Sequence, residues 1–134
     1  MNRVERAEVL AVDDEENFLR LVTHTLKKDG YEVRTAGDGQ EALSLIEREE
    51  FDLALIDIRM TAMDGLAVLG GIKRQYPDTE VIMIRAYPLA ETRMFSFEKG
   101  AYRYLIKPIE IHELKETIRA ALSNVDKCKP SGLG

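Results

Sequence analysis

The sequence predicts an α/β fold, a doubly wound parallel sheet, on three observations. Short β-rich runs alternate with longer helical patterns along the whole chain. The third β-rich run, Phe51–Asp57 (FDLALID), is apolar on both parities, as a strand covered on both faces must be. Pro77, Pro88 and Pro108 fall between the elements, and Gly30 follows the first helical stretch. The order is therefore (βα)₅. Right-handed crossovers then force the strands parallel, with helices on both faces.

The strands expected are Glu8–Asp13, Tyr31–Ala36, Phe51–Asp57, Glu80–Ile84 and Ala101–Ile106. In the first helical stretch Phe18, Leu21, Val22 and Leu26 share a face. In the second the shared residues are Ala42, Leu45 and Ile46, and in the third Leu66, Leu69 and Ile72. A fourth stretch, Leu89 to Lys99, is weaker. In the last, Ile111, Leu114, Ile118, Ala121 and Val125 fall at three- and four-residue steps. Gly30 is placed to end the first helix, Asp38 to cap the second and Asp64 to cap the third.

The length, 134 residues, suits one domain with a core that needs neither disulfides nor metals as staples. The expected division is a domain over 1–125 and a tail or severed linker over 126–134, where the composition shifts to KCKPSGLG from Lys127. A net charge of -5 argues against a nucleic-acid surface on this domain. The single cysteine, Cys128, cannot form an internal disulfide, so a reducing cytoplasm is the expected compartment. Residues 1–8 are charged and lack a signal-peptide core, and no apolar run is long enough to span a bilayer.

Open parallel sheets bind ligands beyond the carboxyl ends of their strands. At those ends stand Asp13 and Asp14 after the first strand, Asp57 after the third, and Lys107-Pro108 after the fifth. Each alone has a bland reading: a helix cap, a turn residue, a surface lysine. Together, in the topology that gathers them, they predict three carboxylates and one ammonium converging on one edge. Three clustered carboxylates repel unless a positive charge joins them. Oxygen ligands of this kind suit Mg²⁺, which takes one or two carboxylates plus phosphate oxygens. Lys107 then serves as a point charge on a phosphoryl group. His24 and His112 have no metal-ligand spacing, and the scattered methionines read as core filler.

These residues resemble the receiver domains of two-component response regulators. VDDEE (12–16), LIDIRMTAMDG (55–65) and GAYRYLIKP (100–108) resemble three of that family's segments, and the resemblance runs from about Glu8 to Asn124. It implies a flavodoxin-like sheet in the order 2-1-3-4-5. It implies that Asp57 is the phosphoacceptor and that Asp14, Asp57 and the Arg59 carbonyl bind Mg²⁺, with Asp13 assisting through water. It further implies that Lys107 contacts the phosphoryl group, that Lys107-Pro108 is cis, and that Tyr104 is the rotating aromatic switch. The implied partner is a histidine kinase or phosphotransfer protein. The implied output surface is 89–124, facing an effector domain or a second copy of the chain.

Two positions depart from the pattern. Thr61 stands where the family usually has proline. Arg85 stands where it has the Thr or Ser that bonds the phosphoryl group and vacates space for the aromatic. Arg85 is expected either to point to solvent or to enter the acid cluster, where its guanidinium would partly stand in for Mg²⁺ or bind phosphate. Two rival readings follow. One is a pseudo-receiver, a binding module not switched by phosphate, suggested by Arg85. The other is an aspartate-nucleophile phosphohydrolase, which would need an acid two residues after Asp57, where Arg59 stands.

Overall fold

The computed structural model describes residues 7–57, 62–85 and 100–131. Five strands, β1 (Glu8–Val12), β2 (Glu32–Ala36), β3 (Leu53–Asp57), β4 (Glu80–Arg85) and β5 (Arg103–Ile106), form one parallel sheet in the order β2-β1-β3-β4-β5. The described helices are α1 (Glu16–Lys28), α2 (Gly39–Arg48), α3 (Ala62–Gln75) and α4 (Ile111–Ser131). The expected helix over Leu89–Lys99 lies outside the described residues. The doubly wound α/β fold of the flavodoxin type is thus the one observed, with strand boundaries within two residues of those expected.

Side-chain alternation divides the interior into two layers. Leu10, Val12, Ala54, Ile56, Val81, Met83 and Tyr104 pack with α2 and α3. Val9, Ala11, Leu53, Leu55, Ile82, Ile84 and Leu105 pack with α1 and α4. Every residue of β3 is buried. Each fully buried Leu or Ile here contributes roughly 1.5–3 kcal/mol relative to exposure, so β3 is the strand least able to move.

The helix ends explain how the loops are set. α1 stops where Gly30 adopts a φ of 95°. Gly30 N–H then bonds the Lys27 carbonyl (3.0 Å) and Tyr31 N–H the Leu26 carbonyl (3.1 Å). This is a Schellman ending, and it needs a residue without Cβ at that position. Asp38 caps α2 as expected, accepting from Glu41 N–H at 2.8 Å. Asp64 does not cap α3, which already begins at Ala62.

One further expectation is corrected. Leu21 is 48% exposed, so it does not belong to the buried face of α1. Val22 and Leu26 make that face, and Leu21 is turned 100° off Val22 at 3.6 residues per turn. The backbone of α4 runs to Ser131. No helix among the described residues is long and apolar enough to cross a membrane.

Candidate functional site

The strand order reverses between β1 and β3, since β1 connects outward to β2 while the chain returns to β3 on its other side. Asp13 follows β1, Asp57 ends β3 and Lys107 follows β5. The register carries them to a common edge: Val12 pairs with Ile56, Asp57 with Ile84, and Arg85 with Ile106. Parity carries them to a common face. Asp13 continues Val9 and Ala11, Asp57 continues Leu53 and Leu55, and Lys107 continues Leu105, all of the α1/α4 layer. Backbone bonds hold the two flanking residues, Asp13 N–H to the Ala36 carbonyl (3.1 Å) and Lys107 N–H to the Arg85 carbonyl (2.9 Å).

Asp13 and Asp57 are both buried, at 1% and 2% exposure. Lys107 Nζ donates to Asp57 Oδ2 at 2.6 Å and to Asp13 Oδ2 at 3.0 Å. Glu15 Oε1 lies 3.4 Å from the same nitrogen, and the Phe18 ring centroid 4.3 Å from it. Asp13 Oδ1 accepts from Glu15 N–H at 2.9 Å and so pins the entry to α1. Asp57 Oδ1 is buried and has no hydrogen-bond partner. A buried carboxylate oxygen left so is costly unless a ligand compensates it. The Lys107–Pro108 bond is cis, as the resemblance implies.

Burial and the neighbouring Asp57 carboxyl push the Asp13 carboxyl above the ordinary carboxylate range, outweighing the Glu15 N–H and Lys107 bonds that pull it down. Burial pulls Lys107 down, but its bonds to Asp57 and Asp13 outweigh that and leave it raised, so it stays cationic through neutral pH. A carboxylate with a raised folded-state pKa contributes stability below its unfolded value, and loses it as pH rises through the folded value. Asp13→Asn removes that loss while Asn Oδ1 keeps the Glu15 cap. The variant is expected to gain on wild type by about 1 kcal/mol near neutral pH. Urea unfolding should show the gain shrinking toward pH ~4, near the ordinary Asp value. A gain that is constant with pH would contradict the burial argument.

Of the residues predicted for the site, the structure brings Asp13, Asp57 and Lys107 together. Asp14 is exposed and, with Asp13, lines an open groove of ≈ 860 Å³ along α1. Arg59 lies outside the described residues. Arg85 ends β4, partly buried, with the parity of Val81 and Met83 and so on the Tyr104 side of the sheet. Tyr104 itself is buried, 7% exposed. His24 and His112 are exposed. Glu15 and Phe18 are the two site neighbours that the sequence pattern does not reveal. No group of three or more His, Cys, Asp or Glu among the described residues could hold a metal by itself. Mg²⁺ does not require one, since it retains waters and uses one or two carboxylates. The orphaned Asp57 Oδ1 fits such an ion.

An α/β sheet with a buried aspartate and a lysine at its switch point defines a class of small domains built around one reactive carboxylate. The family model of the response regulator receiver domain matches residues 9–119, and this chain belongs to that family. It is 37% identical over 117 residues to the transcriptional regulatory protein ZraR of Escherichia coli K12, covering 87% of this chain and 26% of ZraR. The chain therefore spans about a quarter of the length of that relative. A CheY-like receiver domain from Methanospirillum hungatei superimposes with a TM-score of 0.88 at 34% identity, covering 91% of this chain and 98% of that one. A response regulator from Burkholderia pseudomallei, solved with a phosphorylated aspartic acid, a calcium ion and citrate, gives a TM-score of 0.77 at 28% identity, covering 94% and 72%.

Proposed function

We propose that this domain accepts a phosphoryl group on Asp57 from the phosphohistidine of a sensor kinase or phosphotransfer protein, and passes the event to its 89–124 surface. The observation that carries the reading is the buried Asp57 carboxylate, with one oxygen held by Lys107 at 2.6 Å and the other without a hydrogen-bond partner. The Asp57 carboxylate attacks phosphorus. An O–P bond forms, the P–N bond breaks, and the imidazole nitrogen leaves with the electron pair. Such a transfer needs positioning and charge neutralisation more than covalent chemistry. The Lys107 ammonium shields the incoming phosphoryl oxygens from Asp13. Asp14, Asp57 and the Arg59 carbonyl would hold Mg²⁺, with Asp13 assisting through water; the ion supplies further neutralisation of phosphoryl charge when bound.

The domain occupies 1–125 in this reading, with 126–134 leading away from it, and works in the cytoplasm. Its partners are the kinase on the acid edge, and an effector domain or a second copy on 89–124; nucleic acid is not bound by this domain. Acetyl phosphate with Mg²⁺ tests the proposal by intact mass. A lasting adduct supports the switch, no adduct supports a binding module, and continuous turnover supports a hydrolase.

Arg85 modulates the switch. It shares a sheet face with Tyr104 and is far larger than a hydroxyl residue, so we expect it to restrict any rearrangement of that ring. It also adds one positive charge near the acid edge and lowers the field available to a cation. Arg85→Thr is expected to bind Mg²⁺ several-fold more tightly, roughly 1 kcal/mol. It should also enlarge the amide shifts that beryllofluoride produces across 100–123. Equal Mg²⁺ affinities, with equal shifts in both proteins, would remove Arg85 from this role.

A further inference from the structure

An ammonium has three donor hydrogens. Lys107 directs them to Asp57 Oδ2 at 2.6 Å, to Asp13 Oδ2 at 3.0 Å and, in the longest bond of the three, to Glu15 Oε1 at 3.4 Å. The Phe18 ring of α1 also lies against this nitrogen, its centroid 4.3 Å away. We propose that Phe18 is a positioning residue for phosphoryl transfer, its ring closing the outer side of the Lys107 ammonium and holding it on Asp57. This deepens, and rests on, the phosphoacceptor reading above.

The placement of Phe18 is built by the site itself. Asp13 Oδ1 binds Glu15 N–H at 2.9 Å, and Phe18 N–H binds the Glu15 carbonyl at 3.1 Å. The buried acid that binds Lys107 thus also anchors the helical turn that delivers the ring. The ring packs against the α1/α4 core, so it is held from behind. Parity has already sent Asp13, Asp57 and Lys107 to that same layer, which is why an α1 side chain can reach the lysine. A ring face attracts a cation through its quadrupole, which an aliphatic side chain of similar bulk cannot do. Glu15 is the competitor. Its side chain is 47% exposed, and its bond to Nζ is the longest of the three that Lys107 makes. Without the ring, Lys107 divides its time between Asp57 and Glu15.

Two substitutions separate attraction from packing. Phe18→Leu keeps apolar bulk and removes the π face, and Phe18→Tyr keeps the face. In the metal-free protein, the Lys107 Hε protons should resonate upfield from the ring current in wild type and Phe18→Tyr, and lose that shift in Phe18→Leu. With acetyl phosphate and Mg²⁺, the initial rate of adduct formation should fall about fivefold in Phe18→Leu and recover in Phe18→Tyr. Should Phe18→Leu fail to fold, Phe18→Met takes its place. A wild-type rate in the aliphatic variant, an equally slow Phe18→Tyr, or an unshifted Lys107 in wild type would each overturn the proposal. If wild type itself forms no adduct, the phosphoacceptor reading fails and the transfer role with it. The ring-current comparison then reports separately whether ring and ammonium meet.

Discussion

Lys107→Met is expected to destabilise the domain by about 3 kcal/mol near pH 8, because it removes the ammonium bonded to two buried carboxylates. Asp13 and Asp57 are 1% and 2% exposed, and Lys107 is the ammonium bonded to both. The loss has a pH signature. With Lys107 gone, the burial that already raises Asp13 is no longer opposed by the lysine's hydrogen bond, which favours the protonated Asp13 carboxyl. The folded state then binds that proton more tightly than the unfolded state. Stability is retained at low pH and lost as pH rises through the folded value. Urea unfolding should show the deficit shrinking as pH falls from ~8 toward the ordinary Asp value, ~4. Lys107→Arg, which keeps a cation, should recover part of it. Phosphoryl transfer to Lys107→Met should fall by about 10²-fold or more, the scale for removing one preorganised charge donor from a reaction site. A variant with wild-type stability at both pH values would mean that the two carboxylates do not depend on this lysine.

Asp57→Asn is expected to abolish adduct formation while preserving the fold. An amide oxygen is a poor nucleophile, and no other described residue offers a buried carboxylate oxygen without a hydrogen-bond partner. Removing one of two acids that compete for one ammonium also relieves the repulsion between them. The variant should be at least as stable as wild type, with a gain of roughly 1 kcal/mol near neutral pH. Loss of activity accompanied by gained stability is hard to obtain from a misfolded protein, so the pair of readings isolates the chemistry. An adduct on Asp57→Asn at wild-type yield would move the phosphoacceptor elsewhere.

The topology and much of the site are legible in the chain before any coordinates. Strand alternation, crossover handedness and the location of acids at strand ends suffice to bring Asp13, Asp57 and Lys107 together. They suffice because each sits at a strand end, where register and parity dictate direction. Asp14 shows the limit. It lies two residues past the end of β1, where strand parity no longer dictates direction, and it is exposed. Glu15 and Phe18 are invisible to the same reasoning for another cause. Helical periodicity marks Phe18 as a core-facing residue, which it partly is. That its ring also touches Lys107 depends on which layer α1 joins and on how Asp13 sets the first turn. Leu21 fails for a similar reason, since a three-residue step from Phe18 puts it at the margin of the buried stripe. Arg85 was legible as a departure. Its parity with Met83, and hence its company with Tyr104, needed the sheet register.

The central claim is that Asp57 takes the phosphoryl group. Wild-type protein should be incubated with acetyl phosphate and Mg²⁺, the acyl phosphate trapped by borohydride reduction, and the digest sequenced by tandem mass spectrometry. The account predicts that Asp57 is converted to homoserine in the peptide containing LIDIR, and that EDTA prevents the conversion. Homoserine at Asp13 or Asp14 with Asp57 intact, or no conversion at any carboxylate with Mg²⁺ present, would contradict it.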